Sequence, residues 1–118
     1  NLSGAGNASS NSIHGNAGDN QLNGGAGADV LIGNAGDDTF VFNAGQANGD
    51  TIIDFAGNDA GVGDTLSFVG FGTAAAGATF TQIGATNQWT IHSGLGGPDD
   101  IITLGNGATV AASDYLFV

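Results

Sequence analysis

The sequence predicts an all-β fold: a short parallel β-solenoid of nine-residue units, capped by a C-terminal β-rich segment. Three observations predict it. A ninefold period runs from Gly6 to Val41. All eleven acidic residues are Asp, in a chain where 23 of 118 residues are Gly. Beyond Phe42, short apolar runs alternate with clusters of Gly, Asn and Asp, a pattern of strands and turns with little room for helix.

The period is explicit when the chain is set in nines. The units read GNASSNSIH, GNAGDNQLN, GGAGADVLI and GNAGDDTFV. Position one is Gly6, Gly15, Gly24 and Gly33. Position four is Gly18, Gly27 and Gly36, with Ser9 in the first unit. Position six is Asn11, Asn20, Asp29 and Asp38. Position eight is always apolar: Ile13, Leu22, Leu31 and Phe40. A flexible Gly/Asn linker would not place an apolar residue at every eighth position.

Each unit reads as six turn residues followed by a very short strand. Gly at positions one and four allows positive φ and close backbone approach. The turn then aims its carbonyls at one point, and position six adds a side-chain oxygen. Position eight points inward, because side chains alternate along a strand. Two units make one coil, and successive coils stack as parallel strands about 4.8 Å apart. Loop 6–11 then lies beneath loop 24–29, and loop 15–20 beneath loop 33–38. A cation between stacked loops would pair Asn11 with Asp29 and Asn20 with Asp38.

Charge narrows the function. The formal net charge is −11, with no Lys or Arg. Nothing in the chain can neutralise phosphates, which argues against nucleic acid and anionic membrane surfaces as partners. No apolar run approaches the roughly 18 residues of a membrane span, so no membrane insertion is expected. Without Cys there are no disulfides and no thiolate metal site. The first residues show neither the basic nor the apolar region of a secretory signal peptide. Eleven like charges repel one another in a compact fold. A chain that is 41% hydrophobic yet overloaded with carboxylates calls for a bound cation, and Asp with loop carbonyls suits a hard one.

These units resemble the RTX family of Gly- and Asp-rich nonapeptide repeats, G-G-x-G-x-D-x-U-x, which bind calcium. Residues 24–32 match that pattern at every fixed position. The resemblance implies a parallel β-roll with calcium between its turns. It implies as ligands the position-six side chains Asn11, Asn20, Asp29 and Asp38. It adds loop carbonyls, taken at Gly6, Ala8, Gly15, Ala17, Gly24, Gly25, Gly27, Gly33, Asn34 and Gly36. Asn11 and Asn20 in place of Asp, and Ser9 in place of Gly, weaken the sites they belong to. The expected load is about two to four calcium ions. Asn1 to Ser3 reads as the end of a preceding unit with Leu2 inward and two extra residues before Ile13, so the chain is expected to begin inside a repeat array of a longer protein.

From residue 43 to 118 the sequence reads as the cap that a solenoid end requires, forming one folding unit with repeats 1–42. Phe40, Phe42, Phe55, Phe68, Phe71, Phe80 and Trp89 are its core candidates. QWTIH (88–92) and DIITL (100–104) read as a hairpin, and the Ala run near 74–78 as one helical turn. This region also resembles the segment after the last repeat in secreted RTX proteins, with Asp50, Asp54 and Asp64 in the matching places. On the expectation that loop 42–47 stacks on loop 24–29, Asp54 and Asp64 complete a site above Asp29. Asp59, Asp99 and Asp100 read as turn residues, and Asp19 and Asp37 as outward and solvated. The tail Asp114-Tyr115-Leu116-Phe117-Val118 resembles the uncleaved C-terminal signal of type I secretion substrates.

Catalysis is not expected. The only histidines are His14 and His92. There is no H-E-x-x-H zinc motif, no G-x-S-x-G elbow, and no Cys, Lys or Arg. The close carboxylate pairs, Asp37/Asp38 and Asp99/Asp100, point opposite ways if extended. The leading reading is a calcium-binding domain of a bacterial protein, secreted or at the cell surface, that folds on calcium outside the cell. Its partners would be calcium and the type I secretion machinery. The alternatives are a calcium-dependent carbohydrate- or surface-binding module and a self-associating surface repeat.

Overall fold

The computed structural model describes residues 3–57 and 63–118. Among the described residues, eleven strands form two facing sheets. Odd-numbered β1 (Ser3–Ala5), β3 (Gln21–Asn23), β5 (Thr39–Asn43), β7 (Thr65–Val69) and β11 (Tyr115–Phe117) make one sheet, in that order and parallel throughout. The other runs β2 (Ser12–His14), β4 (Val30–Ile32), β6 (Thr51–Ile52), β10 (Asp100–Leu104), β9 (Gln88–His92) and β8 (Thr79–Gln82). It is parallel from β2 through β10 and antiparallel across β10, β9 and β8. From β1 to β8 the chain alternates between sheets, one strand per loop, which makes that part a parallel β-roll; β8 to β10 then stay in the second sheet.

The register follows the period. Ile13 sits beside Leu31, and Leu22 beside Phe40. Gly4 pairs with Leu22, so Gly4 holds the inward place at the start of the roll, nine residues before Ile13. The expected two-residue insertion is therefore not there; Leu2 itself lies outside the described residues. A Cβ at Gly4 would stand 2.9 Å from Ile13 and 3.2 Å from Leu22, so larger neighbours already fill that place.

Parallel coiling continues past Phe42, where the ninefold period stops. Leu31 pairs with Ile52 and Phe40 with Leu66. Partners once 18 residues apart are now 21 and then 26 apart. The loops lengthened while the ladder kept its register, which hides the coils from a fixed-period reading. β10 then stacks on β6 and β11 on β7, and the β8–β9 hairpin completes the second sheet. The hairpin of β9 and β10 and the helical turn at Ala74–Ala76 form as the sequence predicts. Asp100 does not lie in the turn: it opens β10 opposite Ile91 and is buried. Asp99 stays outside, 2.7 Å from the His92 ring. Asp59 lies outside the described residues.

The core is a column of inward side chains widening into an aromatic cluster. Leu22, Leu31, Phe40, Ile52 and Leu66 are fully buried. All seven aromatic core candidates are buried. Phe68 is the hub, with ring centroids of Phe42, Phe71, Phe80, Tyr115 and Phe117 between 4.9 and 6.1 Å away. Trp89 stacks on Phe80 at 4.9 Å. Phe68→Ala should lower stability by about 3–5 kcal/mol through the cavity it leaves. Leu116→Ala, on an exposed side chain of β11, should change it by less than about 0.5 kcal/mol. Denaturant unfolding in saturating calcium checks both.

Candidate calcium sites in the loop columns

Residues at position six form two vertical columns, one on each flank of the roll. In the first, the Asn11 N–H donates to Asp29 Oδ1 at 2.6 Å, and the Asp29 N–H donates to Asp50 Oδ1 at 2.9 Å. In the second, the Asn20 N–H donates to Asp38 Oδ1 at 2.8 Å, and the Asp38 N–H donates to Asp64 Oδ1 at 2.9 Å. Each coil thus hands a backbone donor to a carboxylate on the coil above. The carbonyls of Asn11, Asn20, Asp29 and Asp38 continue into the strand ladder by accepting from Val30, Thr39, Thr51 and Thr65.

The upper carboxylates are arranged differently from the expectation. Asp54 and Asp64 do not sit above Asp29. Both lie on the Asp38 flank, and Asp50 takes the place over Asp29. Loop 44–50 is longer than a repeat loop, so its residue before the strand is Asp50. Asp54 accepts the Gly33 N–H at 2.9 Å with one oxygen and the Asn34 N–H at 2.7 Å with the other. Asp64 Oδ2 also accepts the Ala56 N–H at 2.9 Å. Asp19 and Asp37 are exposed, yet they build an outer ladder, accepting from the N–H groups of Asp37 and Gly63.

The inner oxygens are the notable ones. Asp29, Asp38, Asp50 and Asp64 are all nearly inaccessible to solvent. Asp29 Oδ2 and Asp38 Oδ2 are buried without a hydrogen-bond partner. A Cβ at Gly24 would collide with the Asp29 carboxylate, and one at Gly33 with that of Asp38. Position one is therefore Gly because the position-six side chain of its own loop folds against it, as Asn11 and Asn20 do at Gly6 and Gly15. Position four needs Gly for another reason: Gly27 and Gly36 have φ of 102° and 107°, where a side chain is strained.

Loop 24–29 rests on loop 6–11, with Gly25 over Asn7 and Gly27 over Ser9; Gly36 lies over Gly18 in the same way. The Gly24 and Gly33 carbonyls lie over Gly6 and Gly15. Ala8 and Ala17 are exposed at the loop tips.

Burial pushes the Asp50 carboxyl up to about 7 against the lowering effect of the Asp29 N–H, with the charges of Asp29 and Asp100 adding to the rise. Burial likewise pushes Asp64 up to about 6, opposed by the N–H groups of Ala56 and Asp38 and aided by the charges of Asp38 and Asp54. Asp38 is raised too, by burial first. Among the described residues, no three carboxylates or imidazoles gather as a ready-made metal cluster. A cation between these loops would take one or two carboxylates and complete its shell with carbonyls. The residues fit a hard divalent ion: the donors are all oxygen, two buried carboxylate oxygens lack a partner, and no Lys or Arg exists to neutralise them.

Sequence reasoning placed Asp100 in a turn and gave no role to the burial of Asp114. Asp100 Oδ2 accepts the Gly45 N–H at 3.1 Å, and Asp114 Oδ2 the Ala111 N–H at 2.7 Å. The signal for the upper coils was available as Asp followed two residues later by an inward apolar side chain: Asp50 and Ile52, Asp64 and Leu66.

The RTX calcium-binding nonapeptide repeat (4 copies) matches the sequence at residues 5–40 and 14–48. No curated protein matches the chain. Among solved structures, the fold is similar to the AlgE6R3 subunit from the Azotobacter vinelandii mannuronan C5-epimerase, with TM-score 0.46 and 20% identity over 92% of this chain and 78% of that one. Residues 5–48, which match the RTX calcium-binding nonapeptide repeat, form the lower coils of this β-roll.

Proposed function

We propose that the chain is a calcium-responsive domain of a larger secreted protein. It stays open at low calcium, folds when calcium fills its loops outside the cell, and supports type I export. One observation carries the reading: the four column carboxylates Asp29, Asp38, Asp50 and Asp64 are buried in a chain with no Lys or Arg, and two of their oxygens have no partner. Buried unpaired charge costs several kcal/mol per ion. Bound calcium would supply the compensating charge and the centre about which six to eight oxygens order.

The chain's own residues set the sites. Asp29 and Asp38 present their inner oxygens, with loop carbonyls at Gly24, Gly25 and Gly27 and at Gly33, Asn34 and Gly36. Asp50 on one flank, and Asp54 with Asp64 on the other, add negative charge from the coil above. Repeats 1–42 and segment 43–118 act as one folding unit, because β7 and β11 seal the end of the same ladder. Each site filled at about 100 times its Kd adds roughly 2.7 kcal/mol, so a few sites can turn an open chain into a folded one. An open chain in a low-calcium cytoplasm suits a type I channel, and folding outside opposes return.

Calcium titration followed by circular dichroism should take the chain from largely disordered in chelator to β-rich at millimolar calcium. Identical spectra at the two ends would overturn the reading. Magnesium should substitute poorly, since it demands tighter octahedral geometry. Asp29→Ala or Asp38→Ala should raise the calcium midpoint clearly, while Asp19→Ala, at an exposed position, should change it little.

Acid should partly replace calcium. Asp50 and Asp64 bind protons more tightly folded than unfolded. They therefore favour the calcium-free fold below the ordinary aspartate range and cease to do so as pH rises through about 6 to 7. Without calcium, the β signal at pH 5 should exceed that at pH 8. Calcium affinity should run the other way, because its ligands must be deprotonated.

For export, deleting Asp114 to Val118 would also strip β11 from Phe68. The informative variant instead changes exposed Leu116 and Val118 to Ser. Secretion of a fused passenger should fall while calcium-dependent folding persists; unchanged secretion would leave β11 as a plain edge strand.

A further inference from the structure

The four repeat loops are of two kinds. In loop 15–20 the position-six residue is Asn20, 96% shielded from solvent. Its Oδ1 accepts the Asn16 N–H at 2.8 Å, and its Nδ2 donates to Asn16 Oδ1 at 2.9 Å. Asn16 Oδ1 also accepts the Gly18 N–H at 2.9 Å. Loop 6–11 repeats the backbone part of the scheme: Asn11 Oδ1 accepts the Asn7 N–H at 2.9 Å, and Asn7 Oδ1 accepts the Ser9 N–H at 2.8 Å. An amide carries both a donor and an acceptor, so it can close a turn unaided. A carboxylate cannot, and in loops 24–29 and 33–38 the equivalent inner oxygens lack partners.

An independent observation separates the same pairs of loops. Positions two and four of the Asp loops take positive φ, at Gly25, Gly27, Asn34 and Gly36. Positions two and four of the Asn loops do not, although position four of the second is also a glycine, Gly18. The turn is therefore wound differently where Asn closes it. Moreover, the Gly15 carbonyl accepts from Asn34 Nδ2 at 2.9 Å, so a carbonyl of loop 15–20 is already engaged by the coil above.

We propose that the Asn7–Asn11 and Asn16–Asn20 pairs close the two N-terminal loops without calcium, and that cation binding begins at the loops of Asp29 and Asp38. This rests on the calcium-binding reading above and assigns Asn11 and Asn20 to locking the turn rather than to ligation. The first coil is then a metal-independent ledge, whose Asn11 and Asn20 N–H groups hold Asp29 Oδ1 and Asp38 Oδ1 and leave the other oxygen of each for calcium.

The test counts bound calcium by calorimetry on the full chain, with calcium chloride alone as titrant. Asn20→Ala should leave the number and affinity of sites unchanged while lowering the melting temperature at saturating calcium. Asn20→Asp should add one calcium per chain. Loss of a site in Asn20→Ala, or tighter binding with an unchanged count in Asn20→Asp, would show that Asn20 already ligates and overturn the proposal. Should Asn20→Asp fail to fold, the Asn20→Ala titration decides alone. A wild-type chain that takes up no calcium would overturn the functional reading itself, and with it the boundary at Asp29.

Discussion

Everything in this roll depends on the bond from a loop N–H to the carboxylate one coil above. A stack of two- to five-residue strands has few ladder hydrogen bonds per coil, and its loops expose their backbone donors. The carboxylate columns meet both needs at once. Asp29, Asp38, Asp50 and Asp64 each hold a donor from the coil below, so the loops are stitched vertically as the strands are. The same arrangement gathers buried negative charge that the chain cannot neutralise. Stability without a cation is limited by the very groups that define the stacking.

This tension explains the burial of acids at the flanks and of aromatics at the end. Near the start of the roll, the interior is narrow and is filled by Gly4, Ile13 and Leu22. Toward the cap, Phe68 and its ring neighbours provide an apolar mass that needs no ion. The middle coils hold the carboxylates with unsatisfied oxygens. Those oxygens find no partner within the chain, whereas the cap is packed through its own ring contacts.

Much of the lower roll was legible because one chemical requirement repeats at fixed spacing. Gly24 and Gly33 are fixed by the carboxylate folded against them, and Leu22, Leu31 and Phe40 by the interior. Above Phe42 the requirement survives but the spacing does not. Asp50 and Asp64 keep their place before a strand, yet loops of unequal length separate them from Asp29 and Asp38. The assignment of Asp54 and Asp64 to the wrong flank followed from assuming a constant loop. Asp100 was misplaced because an Asp-Asp pair after Pro98 has the composition of a turn, whereas it pairs with Ile91 of β9 and accepts the distant Gly45 N–H. The locked Asn loops were hidden for another reason: Asn and Asp look interchangeable as oxygen donors until the amide nitrogen finds a partner.

The unequal loops have a wider consequence. Coils of different circumference share one register, so what the ladder conserves is the strand and the residue just before it. The stretch between β5 and β6 is therefore a place where the chain tolerates extra sequence without loss of alignment. A foreign peptide grafted there would be displayed at the rim of a scaffold that keeps its strands aligned.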